Sequence, residues 1–267
     1  MRVEYEVEDH VAVITLNHGK LNTITPSMHR QMYDIIVEFM ADPDVHCGIL
    51  RGAGERAFSA GDDLKVEMRE LSPPSAQLMS ELTPAHRRAG AGESWEWARE
   101  VAQLERFKPI VGAVRGWCLG GGLGCLLTLS DIRIASPDAK FGLPEIAYGM
   151  GGAGGLMRLS RVIPRTAAMQ MLLTGEPIDA QEARRIHLIN EVVPGDQLDA
   201  RAMAIARMIA SHPPMSIRLE MESTLSTENM TPHEALRYGD RIYQLQRLAL
   251  GQSEQESFQI ALRKKGK

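Results

Sequence analysis

Aromatic residues are scarce: Phe, Trp and Tyr make up 5% of the 267 residues. The core must then be largely aliphatic, and 15 methionines are present to fill irregular gaps. Cysteine is scarce too. Cys47, Cys118 and Cys125 are odd in number, lie in apolar settings and show no CxxC spacing. Neither a zinc site nor a disulfide framework is indicated, and reduced buried thiols are expected. There is no basic block and the net charge is −4, which argues against nucleic acid as a partner. No apolar run approaches the roughly 18 residues of a membrane span. The acidic, alternating start MRVEYEVEDH has the form of neither a signal peptide nor a transit peptide, so a cytoplasmic protein with no membrane contact is expected. Hydrophobic residues at 44% and charged residues at 24% fit a soluble globular chain, long enough for one large domain or a medium one with an appendage.

What is present points to a mixed α/β architecture. Val3, Tyr5 and Val7 alternate with glutamates and read as a strand; VAVITL (11–16) completes a hairpin. Thr25-Pro26 reads as an N-cap and first helical position, followed by Met28, Met32, Ile35, Ile36, Phe39 and Met40 at helical spacing. CGILRG (47–52), PIVGAVRG (109–116) and DIRIAS (131–136) read as further strands, which implies βαβ units and a partly parallel sheet. Between them, residues 66–100 are polar and carry Pro73-Pro74, Gly90 and Gly92; broken helices and loops are expected. After about residue 155 the pattern is nearly all helical, with a capping box at Thr231-Pro232-His233-Glu234.

Three segments could do chemistry. ERAFSAGDDL (55–64) and GWCLGGGLG (116–124) each follow a strand and open toward a helix. Unpaired N–H groups and the positive helix end attract negative charge, and two such donors converging on one point would form an oxyanion hole. Taken singly, each reads first as a Gly-rich connection required by close packing. Neither has a P-loop or GxGxxG spacing; residue 125, where the last glycine of the latter would fall, is Cys. The third segment is FGLPEIAYGMGGAGG (141–155). Glu145 stands there among apolar residues, where desolvation would suit it to acid–base work, or loop N–H groups would simply satisfy it.

The ordered set LNTITPSM (21–28), FSAGDDL, AVRGWCLGGGLG, SDIRIAS, AKFGLPEIAYG, GGLMRL and LLTGEPIDAQEARRIHLINEVV (172–193) resembles the crotonase (enoyl-CoA hydratase/isomerase) family across almost the whole chain. The resemblance implies an α/β fold: a crotonase-like ββα spiral over 1–195 and a C-terminal helical trimerisation region over 196–267. It implies a homotrimer or a hexamer of paired trimers. It also implies acyl-CoA thioester substrates, with coenzyme A as part of the substrate and no separate cofactor or metal. The thioester oxygen would sit between the backbone N–H groups of Asp62 and Gly121, a role that does not itself constrain the Asp62 side chain. CoA and acyl chain would run past Ala60, Leu64, Lys65, Gly120 and Gly124. Lys65 could pair with a phosphate or be a solvated helix lysine. Lys264 and Lys265 are weaker candidates.

The resemblance also exposes a departure. Typical hydratases of the family carry one glutamate after the glycines and a second in the PE motif. Here Glu145 supplies the second, while Gly124 or Cys125 stands in place of the first, and no acid occurs from 117 to 130. The expected activity is hydration of a 2-enoyl-CoA with Glu145 as the general acid/base. The alternatives are double-bond isomerisation with Glu145 as proton shuttle, another CoA reaction, or acyl-CoA binding without catalysis. The small residues at 124–125 suggest room for a bulkier or branched acyl group. His86 and His187 lack partners at metal-ligand spacing, and Ser59 and Ser130 lack the His/Asp partners of a nucleophile. Trp95 and Trp97 are candidates for an acyl tunnel or for packing, and Tyr148 for a donor to Glu145.

Overall fold

Strand β1 (Arg2–Glu8) pairs antiparallel with β2 (Val11–Asn17), the hairpin read from the alternating start. Burial is less regular than the alternation. Val3 is buried and Tyr5 partly so, but Val7 is exposed, because β1 is an edge strand with incomplete cover. The computed structural model describes residues 2–65, 82–83, 96–152 and 159–249. Helix α1 (Pro26–Ala41) begins as its sequence predicts: the Thr25 hydroxyl accepts from the Met28 N–H at 3.3 Å. Met28, Met32, Ile36 and Phe39 form its buried stripe. At its far end, the Lys108 ammonium donates to the carbonyls of Phe39 and Asp42.

From there the chain adds one strand to each of two sheets in turn. β3 (Cys47–Gly52) is followed by β4 (Ala57–Ser59), then α2 (Glu96–Ala102). β5 (Ile110–Val114) is followed by β6 (Trp117–Leu119), then α3 (Gly121–Leu129). β7 (Ile132–Ala135) is followed by β8 (Lys140–Gly142) and a 3-10 turn at Pro144–Tyr148. The later elements are α4 (Leu159–Val162), α5 (Arg165–Thr174), β9 (Ile178–Asp179), α6 (Ala180–Arg185), β10 (Glu191–Val192) and α7 (Leu198–Ala210). One sheet runs β1-β2-β3-β5-β7-β10 and is parallel beyond the first pair; the other runs β4-β6-β8-β9. This is a ββα spiral. The first five strands of the larger sheet follow the sequence reading, while β10 falls in the stretch read as nearly all helical. The smaller sheet escaped that reading, since strands of two or three residues carry no readable period.

The larger sheet is buried on both faces, with period two. Ala12, Ile14 and Leu16 face the main core, while Val11 and Val13 face α7. Helix α7 meets that face through Leu198, Ala202, Ala206 and Ala210, a stripe repeating every four residues. Its small side chains allow close approach. Accordingly α7 belongs to the first of two compact units, Met1–Ser211, rather than to the helices that follow. The second unit, His212–Lys267, contains α8 (Pro214–Thr227) and α9 (Pro232–Ala249). The capping box before α9 forms: the Thr231 N–H donates to the Glu234 carboxylate at 2.9 Å, and the Thr231 hydroxyl accepts from the Glu234 N–H at 3.4 Å. Among the described residues, no helix is long and apolar enough to cross a membrane.

One buried ion pair ties the segments flanking the glycine run. Arg106 donates to both oxygens of Asp131, at 2.7 and 2.9 Å, and the Ile110 N–H donates to the same carboxylate at 2.8 Å. Asp131→Ala leaves the buried Arg106 guanidinium without its counter-charge. Urea unfolding of that variant is expected to show a loss of about 3–5 kcal/mol; a loss below about 1 kcal/mol would deny the pair this role.

Candidate active site

The loop Ala60–Asp62 is held on one side like a strand. Ala60 N–H donates to Leu21 O at 2.9 Å, Ile24 N–H to Gly61 O at 2.9 Å, and Asp63 N–H to Ile24 O at 2.8 Å. Asn22 anchors the partner segment by donating to the carbonyls of Ala53 and Ala57. In an extended chain successive N–H groups point to opposite edges. With Asp63 N–H turned toward Ile24, Asp62 N–H points away from that segment. The helix expected to follow this loop would begin beyond Lys65, outside the described residues.

At that helix start, Gly124 N–H donates to Gly120 O at 3.0 Å, which opens the helical ladder. The Gly121 N–H precedes the ladder and has no partner within it. Gly61 brings the two loops together. Its φ is +96°, and a Cβ there would lie 3.0 Å from Leu119 O and 3.2 Å from Gly121 N. Any other residue at 61 would be strained and would push the loops apart. The glycine run also answers to packing. A Cβ on Gly122 would lie 2.5 Å from Ser59 O.

Glu145 lies in the 3-10 turn after β8 and reaches the same point. Its Oε1 lies 2.9 Å from where a Cβ on Gly120 would stand. Its Oε2 is buried and has no hydrogen-bond partner among the described residues. Burial holds this carboxyl above the usual carboxylate range; its own backbone N–H pulls it down, and the Asp62 carboxylate adds to the rise.

The Asp62 side chain is held by a contact of its own. Buried His29 on α1 donates from Nε2 to Asp62 Oδ1 at 2.9 Å. The Asp62 carboxylate lies over Gly121, each of Cγ, Oδ1 and Oδ2 being 2.9 Å from where a Cβ would stand. His29 was not read as a site residue from the sequence. The available signal was a polar residue next to Met28 inside an otherwise apolar helix stripe.

The other candidates fall into place more plainly. Leu64 and Lys65 are exposed, Ala60 and Gly124 half-buried. Cys125 is in the core, its thiol against Met32 Sδ at 3.6 Å and pushed up to about 12, by burial first and the Asp62 charge second. Tyr148 is 71% exposed and makes no bond to Glu145, so it is not the donor expected. Trp97 is buried against Tyr33 with Arg30 over its ring, a packing role. Ser59 accepts from Gly61 N–H and Ser130 donates to Leu126 O, so both serve the backbone. His187 is exposed, at a left-handed position. Among the described residues no cluster suits a metal ion. Trp95, His86, Lys264 and Lys265 lie outside the described residues.

The ββα spiral of two mixed sheets is the crotonase fold. The family model for enoyl-CoA hydratase/isomerase matches residues 6–246, and the chain belongs to that family. It is 34% identical over 245 residues to the (E)-benzylidenesuccinyl-CoA hydratase of Thauera aromatica, covering 91% of this chain and 90% of that one. It is 38% identical over 221 residues to the short-chain-enoyl-CoA hydratase of Clostridium acetobutylicum, covering 82% and 78%. The crystal structure of an enoyl-CoA hydratase from Bacillus anthracis superposes with a TM-score of 0.81 at 29% identity, covering 98% of this chain and 96% of that one.

Proposed function

We propose that the protein adds water to a 2-enoyl-CoA thioester, with Glu145 as its acid–base group. The observation that carries this reading is the close approach of the Gly61 loop to the start of α3, with the Glu145 carboxyl against Gly120. The thioester oxygen lies between the N–H groups of Asp62 and Gly121, where preorganised donors stabilise the charge of an enolate. Glu145 takes a proton from water as the oxygen attacks C3, then returns it to C2. A carboxyl held above its usual range suits both halves of that cycle. The absence of any acid from 117 to 130 is read as the loss of one of two usual glutamates. That loss also supports isomerisation, which moves a proton between C2 and C4 and adds no water.

The substrate's CoA portion passes Ala60, Leu64 and Lys65, and its thioester passes Gly120 and Gly124. The exposure of Leu64 and Lys65 beside the loop supports this path. The acyl group is bulky or branched; the Thauera relative, named for benzylidenesuccinyl-CoA, supports that choice. Exposed Leu236, Leu245 and Leu248 on α9 support assembly as a trimer or a hexamer of paired trimers. Light scattering at micromolar concentration should find three or six chains; a monomer would remove this part of the reading.

The test of the reaction is turnover in D2O of 2-enoyl- and 3-enoyl-CoA thioesters, linear and bulky, by the wild type and Glu145→Gln. The expected result is hydration of 2-enoyl-CoA with one deuteron at C2, falling by about 100-fold or more in the variant. The base must be deprotonated to act, so the acid limb of kcat/KM should lie above the ordinary carboxylate range. Double-bond migration without net hydration would replace hydratase by isomerase. Turnover unaffected by Glu145→Gln would overturn the mechanism, and equal rates for short linear and bulky chains would count against the acyl preference.

A further inference from the structure

The hydration scheme uses the backbone of Asp62 and leaves its side chain idle, yet that side chain is placed with care. The Asp62 carboxylate lies over the Cα of Gly121, and Glu145 Oε1 lies against that of Gly120. Successive Cα atoms are about 3.8 Å apart. The two carboxylates therefore flank a single peptide group, the one whose N–H faces the thioester oxygen. Oδ1 of Asp62 accepts from His29, and Oδ2 has no hydrogen-bond partner among the described residues.

We propose that Asp62, held by His29, is a second catalytic carboxylate, which together with Glu145 holds the water that attacks C3. This rests on the hydration reading above. A water held by one acceptor can rotate about that bond. A second acceptor fixes its lone pair toward the carbon, and misplacement by about 1 Å costs on the order of 100-fold in rate. In the step itself, the water oxygen bonds to C3 and the C2=C3 electron pair moves onto the thioester oxygen. Glu145 takes one water proton. The other hydrogen stays on the oxygen as the product hydroxyl, donating to Asp62 Oδ2. The pair then returns to C2, which takes the proton from Glu145, and the net change is addition of one water.

A carboxylate near a forming enolate needs compensation, and two features supply it. His29 donates an N–H to Oδ1, and the first turn of α3 lends the positive end of its dipole. His29 touches no reacting atom and is a positioning residue. Its burial on α1 fixes the direction of the N–H. A purely structural role is the competing explanation, in which Asp62 only settles the start of α3. The two differ in what they do to steps that need no water.

The experiment compares two reactions in wild type, Asp62→Asn, Asp62→Ala, His29→Gln and Glu145→Gln. One is hydration of a 2-enoyl-CoA. The other is exchange of the C2 hydrogen of a saturated acyl-CoA in D2O, which needs the N–H pair and Glu145 but no attacking water. Asp62→Asn keeps the backbone N–H and can still accept from His29, while its NH2 cannot accept from water. Both Asp62 variants should lose about 100-fold in kcat for hydration, with KM within about threefold and exchange kept within about threefold. His29→Gln should lose hydration in the same sense, while exchange persists. Hydration within about threefold of wild type in both Asp62 variants would overturn the proposal. So would equal loss of hydration and exchange, which marks a structural role. Glu145→Gln hydrating at the wild-type rate would remove the underlying reading instead, a result distinct from either.

Discussion

The backbone of Gly61 rests against Leu119, Gly120 and Gly121, with no room for a side chain between. The proposed chemistry depends on that contact. It brings the loop that carries Asp62 against the start of α3, where the Asp62 carboxylate lies over Gly121 and that of Glu145 against Gly120. Both sheets serve it. The 60–62 loop leaves β4, the glycine run leaves β6, and Glu145 follows β8, so three adjacent strands of the smaller sheet deliver the three parts. The larger sheet, buried on both faces, supplies the rigidity that holds them.

The electrostatics of the site turn on one balance. In the proposed reaction two backbone donors and a helix start favour negative charge, and an enolate oxygen is where it develops. Two carboxylates at the same place work against it. The structure limits the conflict by partly burying Glu145, which raises its proton affinity, and by giving Asp62 a histidine donor. Coupling between the two acids appears on Glu145, where the charge of Asp62 adds to the effect of burial.

Much of this was legible in the sequence. The hairpin, the Thr25 cap, the first five strands of the larger sheet and the capping box at Thr231 all come from local patterns, and local hydrogen bonds decide them. Ordered motifs around Gly61, Gly121 and Glu145 carried the family. Three things were not legible. The smaller sheet is made of strands too short to show alternation. The place of α7 follows from its alanine stripe meeting a sheet face that lies far away in sequence. The hold of His29 on Asp62 spans 33 positions, and no spacing rule links a helix residue to a loop that distant. Tyr148 shows the converse. Proximity in sequence to Glu145 suggested a bond, but the turn directs its ring to solvent.

The central claim is that the thioester carbonyl is polarised between Asp62 N–H and Gly121 N–H. An isotope-edited infrared spectrum of a 2-enoyl-CoA labelled at the thioester carbonyl, bound to Glu145→Gln so that it is not consumed, reads this directly. Two aligned donors should lower the carbonyl stretch well below its value in water. A stretch equal to that in water would mean that the carbonyl does not lie between those groups, and the site would have to be assigned differently.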